Sequence, residues 1–365
     1  MPNSMAGKLS KQHARYQLGF PIHGLESSKS RLQGVSNYIE EQGFSEEFLN
    51  SGQVNTRLEE KVAKLFGKQA ALWFSTGTMA QGVAAQIYAS RHKRRDILLH
   101  PTSHLLLHES EGYRYAHNLS AQEIGDFSSV LSPDDFNQKA ACAFIELSQR
   151  HTGGMVPSWD ELGQIKNRAH ELEMPLHVDG ARIWSCRPIY ENRSYAQIVD
   201  GFSSVYVSLY KDIGAMGGAL LIGDKDFIDE AKIWRERLGG LMVQPWVLVV
   251  DALRLMDERI ERMEACVIRA REIASFISSG SALSVLPEVP HTNLFHVHLP
   301  CNIEKAEQIQ NIIVESLDLK LSGRFWGIHH NPNACAMEMH IGEVAIATPD
   351  DLIKSAINIL SGELA

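Results

Sequence analysis

The chain has 365 residues, of which 44% are hydrophobic and 22% charged, enough material for roughly two domains and one large core. Its formal net charge of −9 argues against nucleic acid or an anionic membrane surface as the main partner. No apolar run approaches the roughly 20 residues of a membrane-spanning helix.

The opening segment, MPNSMAGKLSKQHARYQ, is polar and lacks the apolar stretch of a secretory signal. Cys142, Cys186, Cys266, Cys301 and Cys335 are scattered and form no C-x-x-C pair, so reduced thiols in a cytoplasm are expected, without a disulfide frame or a zinc site. Residues 56–66, TRLEEKVAKLF, put Leu58, Val62, Leu65 and Phe66 on one helical face, and Gly67 stops the helix. A strand, AALWF, leads into a helix over 75–91. Further strands are expected at 97–99, 141–146, 176–179, 205–209 and 219–222, with a helix over 160–173. Strands alternating with helices imply an α/β fold with a mostly parallel sheet. Beyond about residue 245 the texture changes. A long helix over 247–277 leads to Ser278-Ser279-Gly280 and is followed by a strand at 292–299, a helix over 304–317, a strand containing Met337 and Met339, and a last helix after Pro349-Asp350. The expected division is an N-terminal arm and large α/β domain over 1–250 and a small C-terminal α+β domain over 251–365, two lobes with a cleft between them.

Parallel sheets gather reactive groups at the carboxyl ends of their strands, and three positions lie there. Ser75-Thr76-Gly77-Thr78 joins a strand to a helix start, which offers free N–H groups to a phosphate or is simply a capped turn. In PLHVDGARIW, Asp179 ends a strand; Asp179 and Arg182 either face a ligand or pair with each other to stabilise their own turn. Lys211 stands between two apolar runs, as a turn lysine or as an amine available for covalent chemistry. Taken together, a phosphate cradle, a carboxylate and an amine at successive strand ends are what pyridoxal phosphate requires.

These segments, with VNTRLEEKVAKLFGKQAALWFSTGTMA, TSHLLLHESEG, SLYKDIGAMGGALLIG, IWRERLGGLM and HTNLF, resemble the L-threonine aldolase and aromatic amino acid β-eliminating lyase group of fold-type-I pyridoxal-phosphate enzymes, over roughly residues 50–300. The resemblance implies an aspartate-aminotransferase-like large domain plus a small C-terminal domain, and a homo-oligomer, dimer or tetramer, with active sites at subunit interfaces. It implies Lys211 as the Schiff-base lysine, Asp179 as partner of the pyridine nitrogen, and Gly77 and Thr78 as phosphate ligands. His104 would lie against the cofactor ring as the candidate base, and Arg182 would bind the substrate carboxylate. The implied reaction is cleavage of a threonine-like or allo-threonine-like β-hydroxy-α-amino acid to glycine and an aldehyde. The rivals are β-elimination, transaldol transfer or racemisation on the same scaffold, and a cofactor-binding protein with little catalysis.

The sequence also departs from the group's pattern. Tyr210 and Asp212 flank the lysine where serine and glycine are usual, and Gly239-Gly240-Leu241-Met242-Val243-Gln244 lacks the customary arginine, leaving Arg235 or Arg237 to assist the phosphate. Near the C-terminus Glu338 stands close to where an arginine is usual, with Arg324 the nearest upstream candidate. The spacing of His100, His104 and His108 would set all three on one helical face, although no Asp or Cys nearby completes a metal site. His117, His296, His298 and the pair His329-His330 are taken as structural, the last with a pocket role left open.

Overall fold

The computed structural model describes residues 14–280, 283–328 and 331–364. Contacts divide the chain into two units, a larger one of Glu26–Gln149 and Val156–Ile260, and a smaller one comprising residues 14–25, Arg150–Met155 and 261–364.

The larger unit begins with helices α1 (Ser28–Gln42) and α2 (Gln53–Leu65). It continues through β1 (Ala70–Phe74), α3 (Gly77–His92), β2 (Asp96–Leu99), β3 (Ser120–Glu123), β4 (Cys142–Glu146), α4 (Trp159–Glu171), β5 (Leu176–Gly180), β6 (Ser204–Ser208), β7 (Ala219–Gly223) and α5 (Lys225–Arg237). The seven strands form one sheet in the order β1-β7-β6-β5-β4-β2-β3. All neighbours are parallel except the two pairs involving β7. The loop 209–218 that joins β6 to β7 is too short for a crossover, which needs about a dozen residues, so β7 returns antiparallel. The central strands are buried along nearly their whole length, as their unbroken apolar runs anticipate for a sheet covered on both faces. Helix α3 is buried almost all round, and Ala80, Gly82, Ala84 and Ala85, with small or no side chains, let it lie close to the sheet beside Val83 and Ile87.

Helix α6 (Trp246–Gly280) is 35 residues long and is shared by both units. The smaller unit then has β8 (Ser284–Leu286), β9 (Leu294–Leu299), α7 (Ile303–Leu317), β10 (Phe325–Ile328), β11 (Asn331–His340) and α8 (Asp350–Leu364). Its antiparallel sheet runs β10-β11-β9-β8. Its core combines Ile273 and Ile277 of α6, Phe295 and Val297 of β9, Ile309 and Ile313 of α7, Met337 and Met339 of β11, and Ile353 and Ile357 of α8. His296 and His298 are strand residues of β9, whereas His329 and His330 lie outside the described residues. Among the described residues no helix is long and apolar enough to cross a membrane.

Candidate active site

Strand β1 ends at Phe74, and α3 starts three residues later. Thr76 is the N-cap, in extended conformation, its hydroxyl accepting from the N–H of Met79 at 3.3 Å. The helix therefore begins at Gly77 rather than at Ser75, because the cap residue must stay outside helical geometry. Gly77 and Thr78 open the helix with N–H groups for which helical geometry offers no carbonyl four residues back. Gly77 is required by close approach: a Cβ there would collide with the Tyr206 hydroxyl, which β6 sends up to the helix start.

One turn further on, Gln81 donates through Nε2 to Asp179 Oδ2 at 2.8 Å, tying α3 to the end of β5. The other Asp179 oxygen accepts from the N–H of Ala181 at 3.1 Å. The Asp–Arg turn pair is therefore not formed. Arg182 is 4% exposed, makes no ion pair among the described residues, and leaves its Nε without a hydrogen-bond partner there. Gly180 allows the turn between them, since a Cβ would strike the carbonyl oxygen of Tyr206 on the adjacent strand.

Lys211 follows β6 at the start of the loop that returns to β7. Its neighbour Tyr210 is part of the same floor: the Tyr210 and Tyr206 hydroxyls hydrogen-bond, Arg182 draws the Tyr210 pKa down against the larger upward effect of burial, and Lys211 Nζ lies 5.7 Å from the Tyr210 ring. The loop is pinned from outside. Fully buried Asp251 of α6 accepts from Met216 N at 2.8 Å, from Arg31 Nε at 3.2 Å and from Arg254 Nη2 at 2.9 Å, while Arg31 also donates to the carbonyl of Gly214. The lysine thus sits on a segment fixed by buried charge.

His104 opens a single helical turn, His104–Leu107, and its Nδ1 lies 3.0 Å from Glu109 Oε1. The Glu109 side chain is 4% exposed and that of His104 31%. The Glu109 carboxyl also hydrogen-bonds the Thr78 hydroxyl. Burial pushes its pKa up to about 7, against the opposing pull of Thr78, Lys211 and His117. Glu109 was not among the expected residues, and neither its spacing nor its flanks single it out. The expected single face of His100, His104 and His108 does not form. Pro101 follows the β2 strand end and the helical turn begins only after Ser103, so His100 is left outside it, bonded to Thr102 and to the Ser129 carbonyl. His117 is buried and packs on Gly82 of α3. Among the described residues no group of three or more His, Cys, Asp or Glu is placed to hold a metal ion.

The first turn of α3 therefore collects Gly77, Thr78, Asp179, Arg182, His104 and Lys211 through Gln81, Tyr206, Tyr210 and Glu109. The substitutes expected for the missing arginine are occupied elsewhere. Arg235 donates to the Trp73 carbonyl at 2.6 Å, and the Arg237 guanidinium lies 4.8 Å from the Trp234 ring centroid. Arg324 belongs to the smaller unit, 3.6 Å from Glu338.

Residues 46–300 match the family model described as Beta-eliminating lyase. The chain belongs to that family. It is similar to a putative L-allo-threonine aldolase of Listeria monocytogenes EGD-E, at 32% identity, 97% coverage of each chain and a TM-score of 0.88. A putative aromatic amino acid β-eliminating lyase/threonine aldolase of Exiguobacterium sp. 255-15 gives 26% identity, 96% and 98% coverage and a TM-score of 0.87. A probable low-specificity L-threonine aldolase of Arabidopsis thaliana is 27% identical over 268 residues, 70% of this chain and 75% of that one. As a member of the β-eliminating lyase family, the protein is a pyridoxal-phosphate-dependent lyase of fold type I. The residues present fit the cofactor and an amino-acid substrate: a capped helix N-terminus with open N–H groups, a buried carboxylate already oriented by two donors, a lysine on a pinned loop, and a buried arginine whose Nε has no acceptor among the described residues.

Proposed function

We propose that this lyase cleaves threonine-like β-hydroxy-α-amino acids between Cα and Cβ, releasing glycine and an aldehyde. The observation that carries the reading is the gathering of Asp179, Lys211, His104 and Arg182 about the start of α3, with Asp179 held by Gln81 and Ala181, His104 by Glu109, and the Lys211 loop pinned by Asp251. Bound pyridoxal phosphate supplies an electron sink for the bond that breaks at the substrate Cα. Lys211 would hold the cofactor through its amine, and the same amine can move protons at the substrate Cα. Asp179 would pair with the cofactor's ring nitrogen, and the N–H groups of Gly77 and Thr78 would hold its phosphate. Arg182 offers its guanidinium to the substrate carboxylate. His104, its Nδ1 engaged by Glu109, takes the proton of the substrate hydroxyl. Loss of that proton lets the Cβ oxygen become the aldehyde carbonyl as the Cα–Cβ bond breaks, and Cα then takes a proton to leave as glycine. The proposal extends to a cytoplasmic homo-oligomer, dimer or tetramer, supported by the unbridged cysteines and by the exposed apolar run of Leu241, Met242 and Val243.

The test is the product set from threonine and allo-threonine with purified enzyme. Acetaldehyde and glycine in equal amounts are expected. Ammonia with a 2-keto acid would mean elimination instead. Lys211→Ala should lose both turnover and the visible absorption of the bound cofactor; a variant that keeps that absorption would remove Lys211 from its role.

A further inference from the structure

Glu109 joins the site at two points that the proposed chemistry keeps separate. One contact is the Thr78 hydroxyl in the first turn of α3, and the other is His104 Nδ1 at 3.0 Å. Lys211 faces it from the loop after β6, the Tyr206 phenol from β6 itself, and His117 from its seat on α3. With its side chain 4% exposed, the carboxyl has little water to support a charge.

A cofactor phosphate at Gly77 and Thr78, the placement taken above, brings a second anion to the same hydroxyl. Two anions so close cannot both keep full charge cheaply, and a helix N-terminus favours the phosphate. The carboxyl is then the group that yields. We propose that Glu109 is a positioning residue that enters the cofactor-loaded site as the neutral acid, so that loading takes up one proton at its carboxyl. In that form its O–H donates to Thr78 Oγ1, which frees the threonine hydrogen for the phosphate, while its carbonyl oxygen still accepts from His104 Nδ1–H. The carboxyl is already raised to about 7 by burial before any phosphate arrives, in keeping with this role.

The test uses the full chain stripped of cofactor and pyridoxine 5′-phosphate, whose alcohol cannot condense with Lys211. Its affinity is measured against pH for wild type and Glu109→Gln, which keeps a donor and an acceptor but does not titrate. The wild-type affinity, divided by that of the variant, should fall by about tenfold per pH unit above neutrality. A ratio independent of pH overturns the proposal. Should the variant fail to fold, infrared difference spectra of wild type carrying 13C-labelled glutamate decide: a protonated-carboxyl band should appear on loading at mildly alkaline pH, and its absence overturns the proposal. Thr78→Ala separates this inference from its premise. Unchanged affinity in that variant removes the phosphate placement, whereas weakened binding with a flat ratio removes the role of Glu109 alone. No substrate is present, so the outcome does not depend on which bond the enzyme breaks.

Discussion

The two units each bury arginine beside a carboxylate, with opposite results. In the smaller unit Arg150 forks Glu338 at 2.6 and 3.0 Å, Arg324 approaches the same carboxylate at 3.6 Å, and the Arg150 guanidinium lies 4.5 Å from the Trp326 ring centroid. That cluster is closed: each charge finds its complement within the chain. At the end of β5, Asp179 lies three positions before Arg182, yet its oxygens are taken by Gln81 and Ala181, and Arg182 is left buried without an ion pair among the described residues. A guanidinium cannot shed its charge to escape burial, so an open one implies an anion from outside. Burial of charge alone does not separate the role proposed for Arg182 from that of Arg150; what differs between them is whether the local set of charges is closed.

The strongest way to break this contrast is to remove each arginine in turn. Arg150→Ala takes the forked partner from the buried Glu338 carboxylate, leaving it Arg324 at 3.6 Å, and should cost about 3 kcal/mol of stability, read from the urea midpoint. Arg182→Ala removes an uncompensated charge and should change stability by less than about 1 kcal/mol. Equal losses would mean that Arg182 is also a structural residue.

The same arginine should separate the units by function. Arg182→Ala should lower kcat/KM for the amino-acid substrate by roughly 100-fold, mainly through KM, because a charge-assisted pair of about 2–3 kcal/mol is lost. Arg182→Lys should recover only part of it, since an ammonium lacks the planar fork. A variant with unaltered KM would shift the carboxylate to another residue.

The parts of this architecture legible in the sequence are those with a local cause. The strand runs AALWF and VYVSL, the helical face of residues 56–66 and the long helix after residue 245 each carry their own periodicity. Asp179 and Lys211 were legible because strand ends are marked by where the apolar runs stop. What stayed hidden depends on contacts across the chain. Glu109 matters only because a one-turn helix brings it under Thr78, and Asp251 only because α6 passes the lysine loop. The resemblance to threonine aldolases drew attention to Tyr210 as a departure, but only the fold pairs it with Tyr206 at the floor of the site. Likewise, nothing in the composition of Arg150–Met155 signals that this stretch, lying between two parts of the larger unit, packs with the smaller one.

A third buried group sharpens the comparison, because it is open yet has no need of a ligand. His177 of β5 lies fully buried, with Nδ1 2.7 Å from Ser204 Oγ, which also accepts from Tyr88 at 2.7 Å, and with Nε2 lacking a partner among the described residues. Unlike Arg182, it can stay neutral, and burial depresses its pKa to about 3. In the unfolded chain the same ring titrates near 6.5. Between those values the unfolded state binds a proton that the native state refuses, so stability is fully present above about pH 6.5 and falls as pH is lowered toward 3. The slope from this one group approaches about 1.4 kcal/mol per pH unit. Urea unfolding of wild type and His177→Asn between about pH 6 and pH 4.5 isolates it, since the comparison reads slopes rather than absolute stabilities. The variant should give the shallower line. Parallel lines would mean that the native ring accepts the proton after all.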